Sequence, residues 1–401
     1  MIDHLSYFVF FVTILLAFTY FYFKAKYGFW IIQPVFHIYD FHYMFHSPGI
    51  IMHRLPMKNK YTNFNDIETF EFTELPDFMI QKIMYLINRH YFKEQNNFFR
   101  LSKTNFVNYF KNHNAKSFVS VYKEKRPLAD LSNNSIIEDN NIISVITSRP
   151  LNVIINNTTD PDANFKCYYV DYLCVNKLHR KSGIAPQMIQ THHYNQSHLN
   201  KTISISLFKR EDELTGIIPL CVYSTYGFSV EKWTKPYDLH PSYKIIEITS
   251  TNLHLLMDAI TQNALLFNIT IITEAGNIIE LIKSNNIFIY VIVRQDIICA
   301  AYFFRKTGIF IDTNLEVLSS FASIKIDLSY ELFVHGFKII FWKVAAKHYF
   351  GFCSIEQISH NDILIENLCI KNKPIVVSPT AYFFYNFVYS TSPANKVLII
   401  N

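Results

Sequence analysis

The stretch from residue 168 to residue 190 constrains the fold more than any other part of this chain. Its first part, residues 168–175, is mainly aromatic and β-branched, which is typical of a strand. From Ser182 onward, apolar residues such as Ile184 and Met188 recur at helical spacing. The sequence therefore predicts a strand that runs through a short basic loop into an amphipathic helix.

The loop within this stretch, residues 180–185, has the pattern Arg-x-x-Gly-x-Ala. A strand that leads into a helix start leaves backbone N–H groups unpaired, and these groups and the helix dipole attract anions. Gly183 lets a phosphate approach the backbone, and Arg180 adds a fork of charged donors. The pattern favours a site for the pyrophosphate of coenzyme A. A basic surface turn is the alternative, because patterns this short recur by chance.

The residues around this loop resemble the signature of the glycylpeptide N-myristoyltransferase family, also called glycylpeptide N-tetradecanoyltransferases. In that family a Phe-Leu-Cys-Val strand leads through a basic loop into Val-Ala-Pro, and the spacing from Tyr172 to Pro186 matches it without a gap. The resemblance implies that this stretch binds an acyl-CoA through Tyr172, Leu173, Cys174, Val175, Arg180, Lys181, Gly183, Ile184 and Ala185.

Two further stretches agree with the resemblance. Residues 29–35 are similar to the family's Phe-Trp-x-x-Gln-Pro-Val segment, which implies that Phe29 and Trp30 pack on the acyl-CoA. An aromatic pair at a membrane interface is the alternative. Residues 382–387 and 394–401 resemble the family's last strand and apolar C-terminus, which implies a buried tail that ends at Asn401.

Residues 5–23 carry no charge and are about as long as a helix that crosses a bilayer. Lys24 and Lys26 follow, so the positive-inside bias places the rest of the chain in the cytosol. A signal peptide is the rival interpretation, but a basic leading region and a small-residue cleavage site are missing. We therefore expect a divergent, membrane-anchored family member, single-pass, with its catalytic body in the cytosol.

Composition argues against several kinds of site. Half of the residues are hydrophobic, so a large core is possible, and the net charge of +5 comes without a basic block, so we expect no nucleic-acid partner. The six Cys residues are scattered without metal-ligand spacing. We expect no metal, and we interpret His192, His193 and His198 as a solvated helix face.

The resemblance implies an α/β (α+β) chain with a pseudo-doubled fold like that of the GNAT acyl-CoA N-acyltransferases, plus an N-terminal transmembrane helix. We expect an anchor over 1–26, an acyl-CoA-binding half over 27–240 and a peptide-binding half over 241–401. The finer pattern predicts strands at 142–147, 153–157, 168–175 and 339–344, a helix at 328–336, and an insertion at 355–373.

The acceptor side departs from the family pattern. The resemblance implies substrate contacts from Tyr91, Phe99 and Tyr223, but the family's acidic loop is replaced by residues 93–96, Lys-Glu-Gln-Asn. The family's Tyr-Thr-Ala-Gly is replaced by residues 208–211, Phe-Lys-Arg-Glu. The new Lys209 would repel a protonated amine unless Glu211 pairs with it.

The implied reaction transfers myristate from myristoyl-CoA to the N-terminal glycine of an acceptor protein. The resemblance assigns the oxyanion hole to the backbone N–H groups of Tyr172 and Leu173, freed by a bulge in the strand. It assigns the general base to the terminal carboxylate, which falls on Asn401, because burial raises the pKa of such a group toward useful values.

Two alternatives stay open at this point. The chain could be a catalytically inactive scaffold that binds acyl-CoA or lipid at a membrane. It could also transfer the acyl group to another amine, such as a lysine that Glu211 orients. The changes at 208–211 favour these alternatives, whereas the loop, the Phe-Trp segment and the tail favour the glycine-directed enzyme.

Overall fold

The computed structural model describes residues 2–45, 48–92, 97–130, 135–156, 164–211, 216–231, 233–311 and 315–401. The helices are α1 (Ile2–Tyr27), α2 (Phe41–Met44), α3 (Asp77–His90), α4 (Lys103–Val107), α5 (Ile184–Leu199), α6 (Leu253–Gln262), α7 (Ala275–Lys283), α8 (Tyr330–His348) and α9 (Asn361–Lys371). The strands are β1 (Gly49–Ile50), β2 (Ile67–Glu71), β3 (Asn97–Phe99), β4 (Phe118–Asp130), β5 (Ser135–Ile155), β6 (Phe165–Val175), β7 (Ile205–Glu211), β8 (Cys221–Ser229), β9 (Tyr243–Glu247), β10 (Ile269–Ile272), β11 (Ile287–Arg294), β12 (Ile297–Ile311), β13 (Leu315–Lys325), β14 (Phe350–Glu356), β15 (Val376–Tyr385), β16 (Phe387–Val388) and β17 (Val397–Ile400).

One long sheet runs through the molecule in the order β17-β10-β5-β6-β7-β15-β8-β14-β13-β12-β11-β9, with β4 beside β5. Most neighbours are antiparallel, but β6 pairs in parallel with β7, β13 with β14, and β10 with β17. Parallel neighbours need a long crossover. For the two parallel pairs of consecutive strands, the crossovers are α5, between β6 and β7, and α8, between β13 and β14.

The chain therefore contains one β-β-β-α-β unit twice, as β4-β5-β6-α5-β7 and as β11-β12-β13-α8-β14. In each unit the third strand carries a bulge opposite its antiparallel neighbour. Tyr172 and Leu173 together oppose Ile146, and Phe321 is the extra residue on β13 opposite β12. The repeated plan confirms the pseudo-doubled α/β architecture that the sequence predicts.

Helices cover both faces of the first unit. Ile83 of α3 belongs to the same buried cluster as Val145 of β5. Met188 of α5 clusters instead with the next residue, Ile146. Because successive residues of a strand point to opposite faces, α3 and α5 lie on opposite sides of the sheet.

The second unit repeats this arrangement. Phe337 of α8 clusters with Tyr302 of β12, whereas Leu281 of α7 clusters with the following residue, Phe303. The two units are joined without a gap, because β15 lies against β7 and β8 lies against β14. β15, which follows the predicted boundary near residue 240, thus extends the sheet of the first unit. β8, which precedes that boundary, extends the sheet of the second unit.

One predicted strand is wrong, and the predicted division of another region into two strands is wrong. Residues 339–344 lie inside α8, where Phe337, Ile340, Phe341 and Val344 are buried at the three- and four-residue spacing of a helix. The predicted strands at 142–147 and 153–157 are not separate: 142–147 and 153–155 belong to one continuous strand, β5, which ends at Ile155, and residue 157 lies outside the described part of the chain. The Arg149-Pro150 pair of β5 lies in mid-strand opposite β6.

The N-terminal helix α1 covers the predicted anchor at 5–23, although several side chains of that stretch lie outside the described part. Its described apolar side chains are largely exposed, among them Phe10, Phe18 and Phe21. No helix in the part of the chain that was described is both long and apolar enough to cross a membrane. The predicted transmembrane helix is therefore not supported.

Two of the three histidines of α5, His192 and His193, are buried and not part of the predicted solvated face, whereas His198 is partly exposed. His192 lies in the core, and its ring nitrogens are hydrogen-bonded to Ser120 Oγ at 2.8 Å and Ser148 Oγ at 2.9 Å. Burial lowers the pKa of His192 to about 3 and that of His193 to about 4. Both hydroxyls come from strands of the sheet, so the histidine ties α5 to β4 and β5.

These buried histidines should make the fold sensitive to acid. Between the folded pKa of His192, about 3, and the unfolded value of about 6.5, only the unfolded chain binds the proton. Its contribution to stability is complete above the unfolded pKa and is lost as the pH falls below it. We expect His192 alone to lower the free energy of unfolding by up to about 1.4 kcal/mol per pH unit in that window.

Urea denaturation over that pH window measures this slope. His192→Gln should flatten it, whereas His254→Gln, at an exposed position on α6, should leave it unchanged. Equal slopes for both variants and the unmodified protein would show that His192 does not carry the acid sensitivity.

Candidate active site

A gap opens in the middle of the first unit, where β6 and β7 separate. The two strands pair only as far as Val170 and Phe208. Beyond this point β6 stays paired with β5, and β7 stays paired with β15. In the strand pairing that the structure describes, the edge of β6 from Asp171 onward therefore faces the gap. A free strand edge can bind an extended ligand through its main-chain groups.

The bulge in β6 lies at the start of this gap. Tyr172 has a φ of 48°, a left-handed conformation that is uncommon for a non-glycine residue and is often found at functional sites. The predicted bulge therefore occurs at the predicted residues. However, the Tyr172 N–H donates to Asp171 Oδ1 at 2.8 Å. One of the two predicted oxyanion donors is thus engaged by the neighbouring carboxylate.

An aromatic cluster lies beside the bulge. The Tyr172 ring packs 5.9 Å from the Tyr91 ring and 5.3 Å from the Phe106 ring, measured between centroids. Tyr91 in turn packs 5.3 Å from Phe99. The fold thus brings together two of the three predicted acceptor contacts, Tyr91 and Phe99. Residues 93–96, the predicted replacement for the acidic loop, lie outside the described part of the chain.

Cys174 and Val175 continue β6 along the gap. The Cys174 side chain is buried among the residues of α3, and burial raises the pKa of its thiol to about 12. A thiol in that state is not a nucleophile at neutral pH. The Val175 carbonyl accepts a hydrogen bond from Arg180 Nε at 3.3 Å, so the end of the strand is fixed by the basic loop.

The basic loop leads into α5 as predicted. Gly183 is the N-cap residue with a φ of 80°, and Lys181 also has a positive φ of 68°. Arg180 donates from Nη2 to the His90 carbonyl at the end of α3. The guanidinium is therefore held by the protein, while Lys177 and Lys181 remain exposed near the helix start. Ile184 is buried and is the first residue of the helix, and Ala185 is the second.

Replacing Gly183 tests the loop conformation. A Cβ at this position would meet no atom within 4 Å, so Gly183→Ala adds only backbone strain in the left-handed region. We expect a loss of about 1–2 kcal/mol in the free energy of unfolding, measured by urea denaturation. Gly216→Ala, at a glycine whose φ is not positive, is the control and should change stability less.

The Phe-Trp segment lies beside the same gap. Trp30 stacks on Phe208, the last residue of β7 that pairs with β6, at 5.6 Å between centroids. Phe29 is buried against Tyr61, 5.1 Å away. Gln33 fixes the segment, because its Nε2 donates to the Phe29 carbonyl at 3.3 Å. The segment is thus built into the protein rather than being only a membrane-facing aromatic pair.

A buried charge network lies on the acceptor side. Glu356, the last residue of β14, accepts hydrogen bonds from Tyr223 OH at 2.6 Å, Lys209 Nζ at 3.2 Å and Arg305 Nη2 at 2.5 Å. Lys209 Nζ is 3.9 Å from Glu211 Oε1. The partner that neutralises Lys209 is therefore chiefly Glu356 rather than the predicted Glu211.

The network holds Glu356 ionised. Burial alone would raise the pKa of Glu356, but Lys209 and Arg305, with the Tyr223 hydroxyl, lower it to about 2. Burial would lower the pKa of Arg305, but Glu356 raises it well above its usual value. The predicted insertion at 355–373 thus contributes a central residue of the site through Glu356.

The tail is buried as predicted. β17 pairs in parallel with β10, and the Thr273 N–H donates to the Ile400 carbonyl at 2.9 Å. Asn401 is 2% exposed. Its Oδ1 accepts a hydrogen bond from Arg305 Nη1 at 2.9 Å. The predicted base residue is therefore linked through Arg305 to the network around Glu356.

The corresponding gap in the second unit is filled by the chain itself. β13 and β14 pair only as far as Ser320 and Ile355, yet the free edge of β13 is covered. The Ser323 N–H donates to Ser359 Oγ at 3.0 Å, and the Ser323 carbonyl accepts from the His360 N–H at 3.2 Å. Of the two related strand edges in the described structure, the edge of β6 is therefore free, whereas the edge of β13 is covered.

Sequence reasoning missed Arg305 and Glu356. Their roles depend on contacts between strands that are distant in the chain. A short pattern around either residue carries no signal for such contacts. The repeated order of the elements offers one clue to equivalent positions. Lys209 directly follows the last residue of β7 that pairs with β6, and Glu356 directly follows the last residue of β14 that pairs with β13.

The overall fold matches solved structures of N-myristoyltransferases. The enzyme from Saccharomyces cerevisiae with bound myristoyl-CoA aligns with a TM-score of 0.69 over 92% of this chain and 94% of that chain, at 12% identity. A second structure of it with bound myristoyl-CoA gives 0.71 over 92% and 90%, at 12% identity. A third, with bound myristoyl-CoA and inhibitors, gives 0.68 over 92% and 91%, at 13% identity.

No protein-family model and no curated protein sequence matches the chain. At the identities above, the structural likeness establishes the fold alone. The chain has the N-myristoyltransferase fold, which confirms the α/β acyl-CoA N-acyltransferase architecture implied by the sequence resemblance.

Proposed function

We propose that this chain is an acyltransferase that moves myristate from myristoyl-CoA to the N-terminal glycine amine of an acceptor protein. The observation that carries the proposal is the bulged, free edge of β6, which ends at a basic loop and a helix start. The strand edge thus offers main-chain groups for a thioester, and the loop and helix start directly after it offer donors for a pyrophosphate.

The bound acyl-CoA would follow this strand. The pyrophosphate would lie at the start of α5, near Gly183 and the exposed Lys181, where backbone N–H groups and the helix dipole favour anions. The pantetheine would run along the edge from Val175 toward Leu173. The thioester would then reach the bulge, with Phe29 and Trp30 against the acyl-CoA. The filled second gap supports placing the ligand in the first unit.

The chemistry is acyl transfer from sulfur to nitrogen. A neutral α-amine attacks the thioester carbonyl, the C–N bond forms, the C–S bond breaks, and coenzyme A leaves as the thiolate, which is protonated to the thiol by the proton that the base takes from the amine. The amine's proton passes to a base, for which we propose the terminal carboxylate of Asn401. The Leu173 N–H would stabilise the oxyanion, joined by the Tyr172 N–H once it leaves Asp171.

The membrane location belongs to the same proposal. The exposed aromatic side chains of α1, such as Phe10 and Phe18, support a hydrophobic partner, and we propose a membrane with the body of the chain in the cytosol. Protease protection of protein bound to microsomes tests this orientation. Digestion of residues beyond 26 from the cytosolic side is expected, and their protection would contradict it.

A non-catalytic acyl-CoA-binding scaffold is the second candidate. Two contacts favour it, namely the Tyr172 N–H bound to Asp171 and the ion pair between Lys209 and Glu356 on the acceptor side. Transfer to a lysine amine is a variant of the first candidate, since Glu211 is exposed beside Lys209.

Release of coenzyme A separates these functions. The full-length chain in detergent is mixed with myristoyl-CoA and a peptide that begins with glycine, the same peptide with an acetylated N-terminus, or an acetylated peptide with a lysine. Release with the free glycine peptide alone is the expected result. Release only with the lysine peptide would favour the variant. Tight binding without release would favour the scaffold.

A further inference from the structure

We infer that Arg305 is a positioning residue that holds Asn401 in place, and that Glu356 fixes Arg305 for this task. The inference rests on the proposed function, which assigns the base to Asn401. It adds that the side chain at position 401 matters, whereas the terminal carboxylate alone would allow any residue type there.

The contacts of Asn401 carry the first step. The main chain of the tail is fixed by the pairing of β17 with β10, but this pairing ends at Ile400. Asn401 is buried, and its Oδ1 accepts from Arg305 Nη1 at 2.9 Å. Its Nδ2 has no hydrogen-bond partner in the described structure. Among the described contacts, the side-chain hydrogen bond that orients Asn401 therefore comes from Arg305.

The surroundings of Arg305 carry the second step. Its other terminal nitrogen, Nη2, donates to Glu356 Oε1 at 2.5 Å, and its guanidinium lies 4.5 Å from the centre of the Phe321 ring. A planar fork that is bound at two points and stacked on an aromatic face has little freedom to rotate. Arg305 is thus a rigid link between β14 and the tail.

The remaining contacts of Glu356 extend the link to the acceptor side. Its second oxygen, Oε2, accepts from Tyr223 OH at 2.6 Å and from Lys209 Nζ at 3.2 Å. One carboxylate thus fixes the predicted acceptor contact Tyr223 and, through Arg305, the residue that bears the predicted base. A displacement of Tyr223 or of Asn401 would change the position of the acceptor contact relative to the base. A misplacement of about 1 Å can cost about 100-fold in rate.

The test compares Arg305→Lys and Asn401→Leu with the unmodified full-length chain. The first keeps the charge but loses the two-point fork, and the second removes the side-chain amide of Asn401, including the Oδ1 acceptor. We expect kcat to fall by about 100-fold and about 10-fold respectively, with the KM for myristoyl-CoA changed less than about twofold because the acyl-CoA loop is untouched. Arg294→Lys, at an exposed Arg294–Asp327 pair of 2.5 Å, is the matched control and should retain full kcat.

A second readout does not depend on turnover. The side-chain amide signals of Asn401 are observed by NMR in protein labelled with [¹⁵N]asparagine and are assigned by their loss in Asn401→Leu. They should shift in Arg305→Lys and stay in place in Arg294→Lys. If the unmodified chain transfers no acyl group, the proposed function fails, while the signals still decide the role of Arg305. Unshifted signals in Arg305→Lys, or an undiminished kcat in an active enzyme, would overturn the inference.

Discussion

A chain that carries extra residues after Asn401 should transfer acyl groups about 100- to 10,000-fold more slowly than a chain that ends there, since loss of a general base has effects of that size. Asn401 is 2% exposed, and its side chain is held by Arg305. Additional residues would replace the proposed carboxylate base with an amide and would push the tail out of its buried position.

The control is the same tag placed before residue 1. The N-terminal tag should leave the rate of coenzyme A release within about twofold, because the contacts described for the network around Glu356 and for the pairing of β6 with β7 come from residues that follow α1. Both tagged proteins should bind myristoyl-CoA equally well. Full activity in the C-terminally tagged protein would contradict the assignment of the base to Asn401.

Glu356→Gln should lower the free energy of unfolding by about 3–5 kcal/mol, the range found when one partner of a buried ion pair is removed. The variant leaves Lys209 and Arg305 facing a neutral amide in a largely buried site. The folded pKa of Glu356, about 2, lies below its ordinary value. Its contribution to stability is therefore present above the unfolded pKa of about 4.3 and is lost as the pH falls toward 2.

Glu211→Gln is the matched control for this prediction, because Glu211 faces the same lysine at 3.9 Å but is exposed. An exposed pair contributes at most about 1 kcal/mol. Urea denaturation at neutral pH compares the two variants. Equal losses, or a Glu356→Gln loss below about 1 kcal/mol, would show that the network does not stabilise the fold as its contacts indicate.

Local sequence patterns predicted those elements whose formation depends on residues that are neighbours in sequence. The strand, basic loop and helix around Gly183 are encoded by residues that are neighbours in sequence, and the structure has each of them. The bulge at Tyr172 and the buried tail were implied by the family resemblance rather than by periodicity. Both are present as structural features, while the roles of these residues remain predictions.

Other features could not be predicted because they depend on tertiary contacts. The run from Ile339 to Val344 is rich in β-branched and aromatic residues, yet it packs as the second half of α8. Glu356 gave no local signal, because its three partners come from β7, β8 and β12. His192 looked solvated because the two hydroxyls that satisfy its ring lie far away in sequence.

The central claim is that the free edge of β6 and the loop after it bind the acyl-CoA. Hydrogen–deuterium exchange with a non-hydrolysable thioether analogue of myristoyl-CoA tests it directly. The account predicts slower exchange for the amides of residues 171–175 and 181–185, and no change for residues 321–325 of the related, filled gap. Protection confined to the second unit, or no protection at saturating analogue, would contradict it.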